Sequence, residues 1–459
     1  MLWRHLVLPV LLAVLPPAAA DAARLEEALA LAYAASPELE AARARLRAVD
    51  ENVPRARAGW FPAFDASSSA GFASRSGLDG AETFSTSRHA LTLRQELYSG
   101  GETRALVRRA ESAVLAERAR LARVEQEVLL EVVAAYTAVL RDQALLELAL
   151  SNEARLRQQR EATGERFRLG QVTRTDVAQA ETRHARASAD ATRAKGALTV
   201  SQADYEKVVG TPPERLVPVA VPAGLVASES EARAAAQSHP AVLAAQYGLD
   251  QAEDETAVAR AALKPRLSLT GQAGYVDDPA SGTGGLQQDM SVAAVLTVPL
   301  YQGGGDHARV RQSRQSAAQR GHELDAAVRA AGRDAVAAWR SLASLQARMD
   351  ALETQARSAE LAVEGVRQEA LAGLRSVIDV LDAEQELVEA RATLVEAGRE
   401  EMLAAFALLA ATGRLSAQSL ELPVVLYEPG DHYRAVRNRW FGTGEPEYDT
   451  ETAQDEDGR

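Results

Sequence analysis

Leu97-Tyr98-Ser99-Gly100-Gly101 returns 203 residues later as Leu300-Tyr301-Gln302-Gly303-Gly304. The same offset holds without an insertion from residue 36 to residue 210. Ser36-Pro37 answers His239-Pro240, Ala134-Ala135-Tyr136 answers Ala337-Ala338-Trp339, and Gly210 answers Gly413. Gly170, Asp176, Val177, Ala180 and Glu181 answer Gly373, Asp379, Val380, Ala383 and Glu384. Solenoid repeats have periods of roughly 20–50 residues. A period this long marks a duplicated half-molecule instead. The halves, 21–225 and 226–427, must build the same structure side by side.

Upstream of the quoted stretch the apolar pattern has a period of two. Phe64, Ala66, Ser68, Ala70 and Phe72 fall on one face, and Leu91, Leu93, Gln95 and Leu97 on another. In the copy these are Leu267, Leu269, Gly271, Ala273 and Tyr275, then Val292, Ala294, Leu296, Val298 and Leu300. Strands are expected at 62–74 and 88–98, and at 265–276 and 291–301, joined by polar loops Ser76–Ser87 and Asp277–Asp289. Such strands carry the weak signature of a transmembrane β-barrel. A soluble sandwich hairpin has the same pattern, so the strands alone leave both open.

Downstream the period becomes helical. Glu102 to Arg168 contains no proline, and its apolar residues recur at threes and fours. One helix over this stretch would be about 100 Å long at ~1.5 Å per residue, too long for a compact core and fitting a solvated coiled coil. A turn at Leu169–Arg174 and a return helix from Thr175 to Val209 complete the hairpin, so the two tips span 169–176 and 372–379. Ahead of the strands, a helical stretch from Arg24 to Ala35 breaks at Ser36-Pro37. Ser36 caps the next helix with Pro37 in its first turn, and that helix runs toward Trp60.

Composition narrows the classes. Residues 1–20 read as a secretory signal: Arg4, the apolar run Leu6–Leu15, then Ala18-Ala19-Ala20. A retained anchor is the alternative. No later stretch is long and apolar enough for a membrane helix, so a membrane would be met by β-structure or by the surface. The chain has no cysteine, which excludes disulfides, thiol chemistry, cysteine-bound metal and lipidation on cysteine. A net charge of -13 over 459 residues argues against a nucleic-acid partner. Residues 428–459 read as an acidic tail, disordered from Glu445. The seven histidines show no metal-ligand spacing. There is also no phosphate loop and no nucleophile elbow. The expectation is a non-enzyme with no cofactor.

Each half offers one hairpin with long helices on the same side of it. Four strands cannot close, and open edges do not survive in lipid. Embedded strands would therefore require an oligomer. A dimer would supply eight strands, whose interior side chains fill, and a trimer twelve, which open a lumen.

The Ser36-Pro37 helix start, the Leu97–Gly101 turn and the segments Gly170–Val177 and Gly373–Ala383 together resemble the TolC-like outer-membrane efflux protein family. The likeness covers residues 25–425 or so. It implies a mainly α fold with a membrane β-barrel, as a homotrimer. A twelve-stranded barrel in outer-membrane lipid would continue into a twelve-helix barrel in the periplasm. It implies no enzymatic activity. The role would be a passive exit duct for efflux or type I secretion, docked to an inner-membrane transporter, ABC or proton-driven, by a periplasmic adaptor. The rival is the periplasmic adaptor itself, which also has a long helical hairpin but normally only one.

The tips hold the candidate functional residues. Thr173 with Asp176, and Ser376 with Asp379, form boxes that cap the return helices; capping is at least part of the reason for these aspartates. Asp382 lies one turn beyond Asp379 on the same face, where the first half has Gln179. In a trimer Asp379 and Asp382 would form carboxylate rings that attract cations, and by resemblance they match the family's acidic entrance ring. Thr175, Asp176 and Arg375 match its closing links, although Arg375 also fits a solvated arginine near a helix end. Ala370 stands where the resemblance expects a tyrosine, so one link is missing. Gly170 and Gly373 supply the positive φ of the turns. By resemblance the loops Gly170, Gln171, Val172 and Gly373, Leu374 touch the adaptor, and an apolar Leu374 at an exposed turn itself favours a partner.

Overall fold

The computed structural model describes residues 24–77, 80–277 and 286–444; the expected signal and the stretch from Glu445 lie outside them. The first half runs α1 (Leu25–Ala35), α2 (Pro37–Asp50), α3 (Asn52–Arg57), β1 (Ala63–Gly77), β2 (Gly80–Tyr98), α4 (Glu102–Arg168) and α5 (Arg174–Val209). The second runs α6 (Glu229–Ala235), α7 (Pro240–Ala261), β3 (Arg266–Asp277), β4 (Leu286–Thr297), α8 (Gly305–Leu371) and α9 (Val377–Ala411), followed by α10 (Asp431–Val436).

Local chemistry sets these bounds. Ser36 Oγ accepts the Leu39 N–H at 3.4 Å and Pro37 opens α2. In the copy His239 Nδ1 takes that place, accepting the Ala241 N–H at 3.2 Å. α2 does not reach Trp60 unbroken: Pro54 cannot continue the ladder, and α3 and a 3-10 turn at Ala58–Trp60 complete the path. Lacking a proline in its interior, α7 runs 22 residues without a break. α4 and α8 are each 67 residues long, about 100 Å.

The long helices form a wall one helix thick. α4 packs on α2 and α5, which occupy the same column one after the other, and also on α7 and α9, which share the next column. α8 packs on α7 and α9 alone among the long helices. The four strands form one antiparallel sheet in the order β1-β2-β3-β4, the same order as the helical columns they lead into.

Register fixes the faces. Phe64 pairs with Leu93, Leu93 with Gly271 and Gly271 with Val292; Ala66, Leu91, Ala273 and Met290 form the row beside it. The expected apolar faces thus coincide as one surface across four strands, and Phe64, Leu91, Met290, Val292 and Leu296 are exposed on it. The opposite face carries rows such as Asp65, Thr92, Gln272 and Ser291.

Three expectations need correction. Most of Ser76–Ser87 is strand, not loop: Thr83 to Ser87 pair with Ser74 to Ala70. A Ser/Thr-rich segment lacks an apolar face to announce it, yet its backbone pairs as well as any. β4 begins at Leu286, within the expected loop Asp277–Asp289, and ends at Thr297 rather than 301. Lastly, the segment from 428 is not tail throughout. Residues to 444 fold back, and His432 is buried with its Nδ1 3.0 Å from Asp50 Oδ2. Burial holds the Asp50 carboxyl above its ordinary pKa, opposed by the His432 hydrogen bond.

The main core surrounds the middle of α4. Leu129, Val132, Val133 and Tyr136 meet Leu29 and Tyr33 of α1 and Leu415 and Leu422 beyond α9. Tyr136 Oη donates to the Val217 carbonyl at 2.8 Å and accepts its N–H at 3.0 Å, tying the inter-repeat linker to the wall.

Candidate functional site: the two helical tips

Both tips are built in the same way. Gly170 and Gly373 adopt φ of +72° and +79°, and no neighbour would meet a Cβ at either, so conformation rather than space selects glycine. Past each glycine the chain turns back. Gln171 N–H donates to the Arg166 carbonyl and Leu374 N–H to that of Glu369, both at 2.9 Å, closing Schellman turns.

Each return helix then starts with a reciprocal cap. Asp176 Oδ2 accepts the Thr173 N–H at 2.7 Å and its hydroxyl at 2.8 Å, while the Asp176 N–H donates to Thr173 Oγ1 at 3.3 Å. Asp379 does the same with Ser376, at 2.9, 2.8 and 3.2 Å. The backbone bond first, then the hydroxyl, hold both carboxyls below their ordinary pKa. Both aspartates are therefore charged at neutral pH and hold the helix starts.

The remaining candidates differ between the tips. Thr175 is exposed in the first turn of α5. Within the chain Arg375 is paired with Glu369 of its own tip, Nε to Oε2 at 2.9 Å, rather than with Thr175 or Asp176. Asp382, exposed on α9, lies 3.0 Å from Arg183 Nη2 on α5. Arg183 is absent from the sequence-derived candidates. The signal was a charge reversal at the repeat offset: Arg183 answers Glu386, as Gln179 answers Asp382.

At the loops Gln171 is exposed and Val172 half-buried, while Leu374 is 77% exposed. Sequence reasoning missed the apolar neighbours Phe167 and Leu169 at the first tip and Leu371, Val377 and Ile378 at the second, all exposed. Their helical spacing reads as core, and only the structure places them beyond the packed stretch. Among the described residues no group of three or more acidic or histidine side chains is placed to hold a metal ion. No helix there is long and apolar enough to cross a membrane.

A single wall of helices under a four-stranded sheet, with two capped tips at the far end, defines a TolC-like outer-membrane channel fold. The solved outer membrane channel CmeC of Campylobacter jejuni has this fold: TM-score 0.74 over 85% of each chain, at 17% identity. The family described as outer membrane efflux protein matches residues 28–211 and 232–414, once on each half. The outer membrane efflux protein BepC of Brucella suis biovar 1 (strain 1330) is 34% identical over 435 residues, 95% of each chain. The alkaline protease secretion protein AprF of Pseudomonas aeruginosa is 28% identical over 352 residues, 74% of this chain and 72% of its own. The chain belongs to the outer membrane efflux protein family. Its members are outer-membrane channels and not enzymes, and its place is the outer membrane with the helical part in the periplasm. It is an exit duct, and the adaptor alternative is not favoured.

Proposed function

We propose that three copies close into one tube, a twelve-stranded barrel continued by a twelve-helix tunnel, which works as a passive duct for efflux or type I secretion. The observation that carries this reading is the matched order of strands and helical columns, free at both edges. Among the described residues β1 and β4 each pair on one side alone, and of the long helices only α7 and α9 pack on α8. Membrane insertion forbids open strand edges, and a second and third copy complete them. The apolar face would meet lipid, the polar face the lumen, and the hairpin ends the cell exterior. The outer-membrane fraction should yield a detergent-solubilised trimer that conducts in planar bilayers. A soluble monomer would overturn the reading.

Channels of this family work with adaptor proteins and inner-membrane transporters in efflux and secretion systems. In this chain we assign the adaptor contact to Gly170, Gln171 and Val172 at one tip and to Gly373 and Leu374 at the other. The exposed Phe167, Leu169, Leu371 and Ile378 beside them support it. Asp379 and Asp382 form the acidic entrance. Thr175, Asp176 and Arg375 link neighbouring tips when it closes, and Arg183 matches part of the Asp382 charge in the arrangement seen here. BepC is named for efflux and AprF for protease secretion; the attached transporter selects the cargo.

A further inference from the structure

The C-terminal segment beyond α10 lies beside α3 and the residues that lead into β1. Arg57 joins the two. Its Nη1 donates to Asn438 Oδ1 at 2.5 Å and to the Arg437 carbonyl at 3.1 Å, and its guanidinium lies 6.0 Å from the Trp60 ring centre. The level of this junction is fixed. The Trp60 carbonyl accepts Gln95 Nε2 of β2 at 3.1 Å, and a Cβ on Gly59 would stand 3.0 Å from the Thr103 side chain in the first turn of α4. The patch therefore sits where strands become helices.

Its chemistry is unusual for this chain. Trp440 and Phe441 are 82% and 85% exposed, with rings 6.5 Å apart, and Trp60 and Phe61 are about half exposed beside them. A cavity of about 830 Å³ between the two segments is lined by Phe61, Trp440 and Phe441 together with Arg55, Arg57, Arg437 and Arg439. Of the four arginines only Arg437 has a carboxylate partner, Glu111 at 3.4 Å, among the described residues. Four guanidinium groups against two nearby carboxylates, Glu51 and Glu111, thus cluster on a chain of net charge -13. The opened rings contribute nothing to the core.

Aromatic rings with arginines at the end of an apolar strand band are the composition of a bilayer interface. We propose that residues 437–444, with Arg55, Arg57, Trp60 and Phe61, form an anchor that binds anionic phospholipid headgroups of the leaflet facing the periplasm. The aromatic side chains lie at the headgroup level, and the phosphates accept from the guanidinium N–H groups that are left over from contacts within the chain, such as those of Arg439 to the Phe441 and Gly444 carbonyls. The site rests on the reading of the sheet as membrane-embedded. It adds a contact outside the barrel that no strand supplies.

The test uses the reconstituted full chain with Trp3→Phe, Trp60→Phe and Trp339→Phe, leaving Trp440 as the one tryptophan of the sequence. Vesicles contain phosphatidylethanolamine with a varied share of phosphatidylglycerol, and phospholipids brominated near the carbonyl serve as quenchers. A second variant carries Trp440→Phe as well and Phe64→Trp as a marker on the apolar face of β1. Trp440 should be quenched, more strongly as the anionic share rises. Arg55→Gln with Arg439→Gln should weaken that anionic preference by roughly fivefold per arginine. If the marker is quenched and Trp440 is not, the anchor is wrong and the membrane sheet stands. If neither is quenched, both fall. Crosslinking of residue 440 to a second copy of the chain, with Trp440 unquenched, would show a subunit contact in place of lipid and would also overturn the proposal.

Discussion

α4 and α8 have the same length and align residue for residue at the repeat offset, yet α4 buries twenty of its residues and α8 ten. Position explains the difference. α4 stands between two helical columns, whereas among the described residues α8 packs on one column and on the short α6. The side chains have diverged to match. Leu129 and Val132, fully buried in α4, answer Gly332 and Ala335. In the other direction, Gln158 of α4 answers Leu361 of α8, which is 76% exposed. Duplication supplied two copies of one helix, but only one became interior. The edge copy keeps an apolar side chain that its own chain does not cover.

The largest effect should come from the interior copy. Leu129→Ala opens a cavity in the main core and should destabilise the chain by about 2–5 kcal/mol. Leu342→Ala, in the thinner packing of α8, should fall at or below the lower end of that range. Urea unfolding of the two detergent-solubilised variants measures both. Equal losses would mean that the flanking columns do not set the difference.

The strand-to-helix turns give a second contrast. Gly100 and Gly303 both have positive φ, so alanine is strained at each, by about 1–3 kcal/mol. At Gly100 the new Cβ would also lie 2.8 Å from the Ala261 carbonyl oxygen and 2.9 Å from Lys264 Cβ; at Gly303 it would meet nothing. Gly100→Ala should therefore cost about 1–3 kcal/mol more than Gly303→Ala, measured in the same way. A smaller contrast is expected at Leu361. In a lone chain Leu361→Ala should change stability by no more than about 0.5 kcal/mol. If a neighbouring copy covers α8, its removal should weaken assembly by about 1.5 kcal/mol, roughly tenfold in subunit dissociation followed by native mass measurement.

Much of this architecture is legible in the sequence, for local reasons. Period, absence of proline and paired glycines fix α4, α8 and their turns, because helices and αL positions answer to near neighbours. The upper part of β2 was not legible, since Thr83–Ser87 offer no apolar alternation and owe their strand to pairing with β1. The His432–Asp50 contact and the Tyr136–Val217 bonds join segments far apart in sequence, and no single residue type signals either. At the tips the caps were legible because Thr173 and Ser376 lie three residues from their partners. Arg183 was not, since its partner is 199 residues away; only a comparison of charges across the repeat would have pointed to it.

The two tips allow the last and smallest contrast, in conduction rather than stability. Asp176 and Asp379 both have carboxyls held below the ordinary value of 3.8 by their caps. Their contribution to the helix starts is therefore fully present above that value and is lost as pH falls through the lower folded value. Between pH 5 and 8 the caps should not change, and fraying of both tips, read by amide exchange, should begin only in stronger acid. Asp382 differs, because its carboxylate caps nothing and meets Arg183. Asp382→Asn should lower cation selectivity in planar bilayers with the state of assembly unchanged. Arg183→Gln frees the same carboxylate and should raise it. Asp176→Asn should loosen the first tip, raising conductance while leaving selectivity nearly unchanged. The opposite signs at Arg183 and Asp382 are the decisive feature, since a merely loosened tip would shift both in the same direction. If Asp176→Asn moves selectivity as far as Asp382→Asn does, the two tips contribute alike to the entrance and the contrast between the repeats ends at the wall.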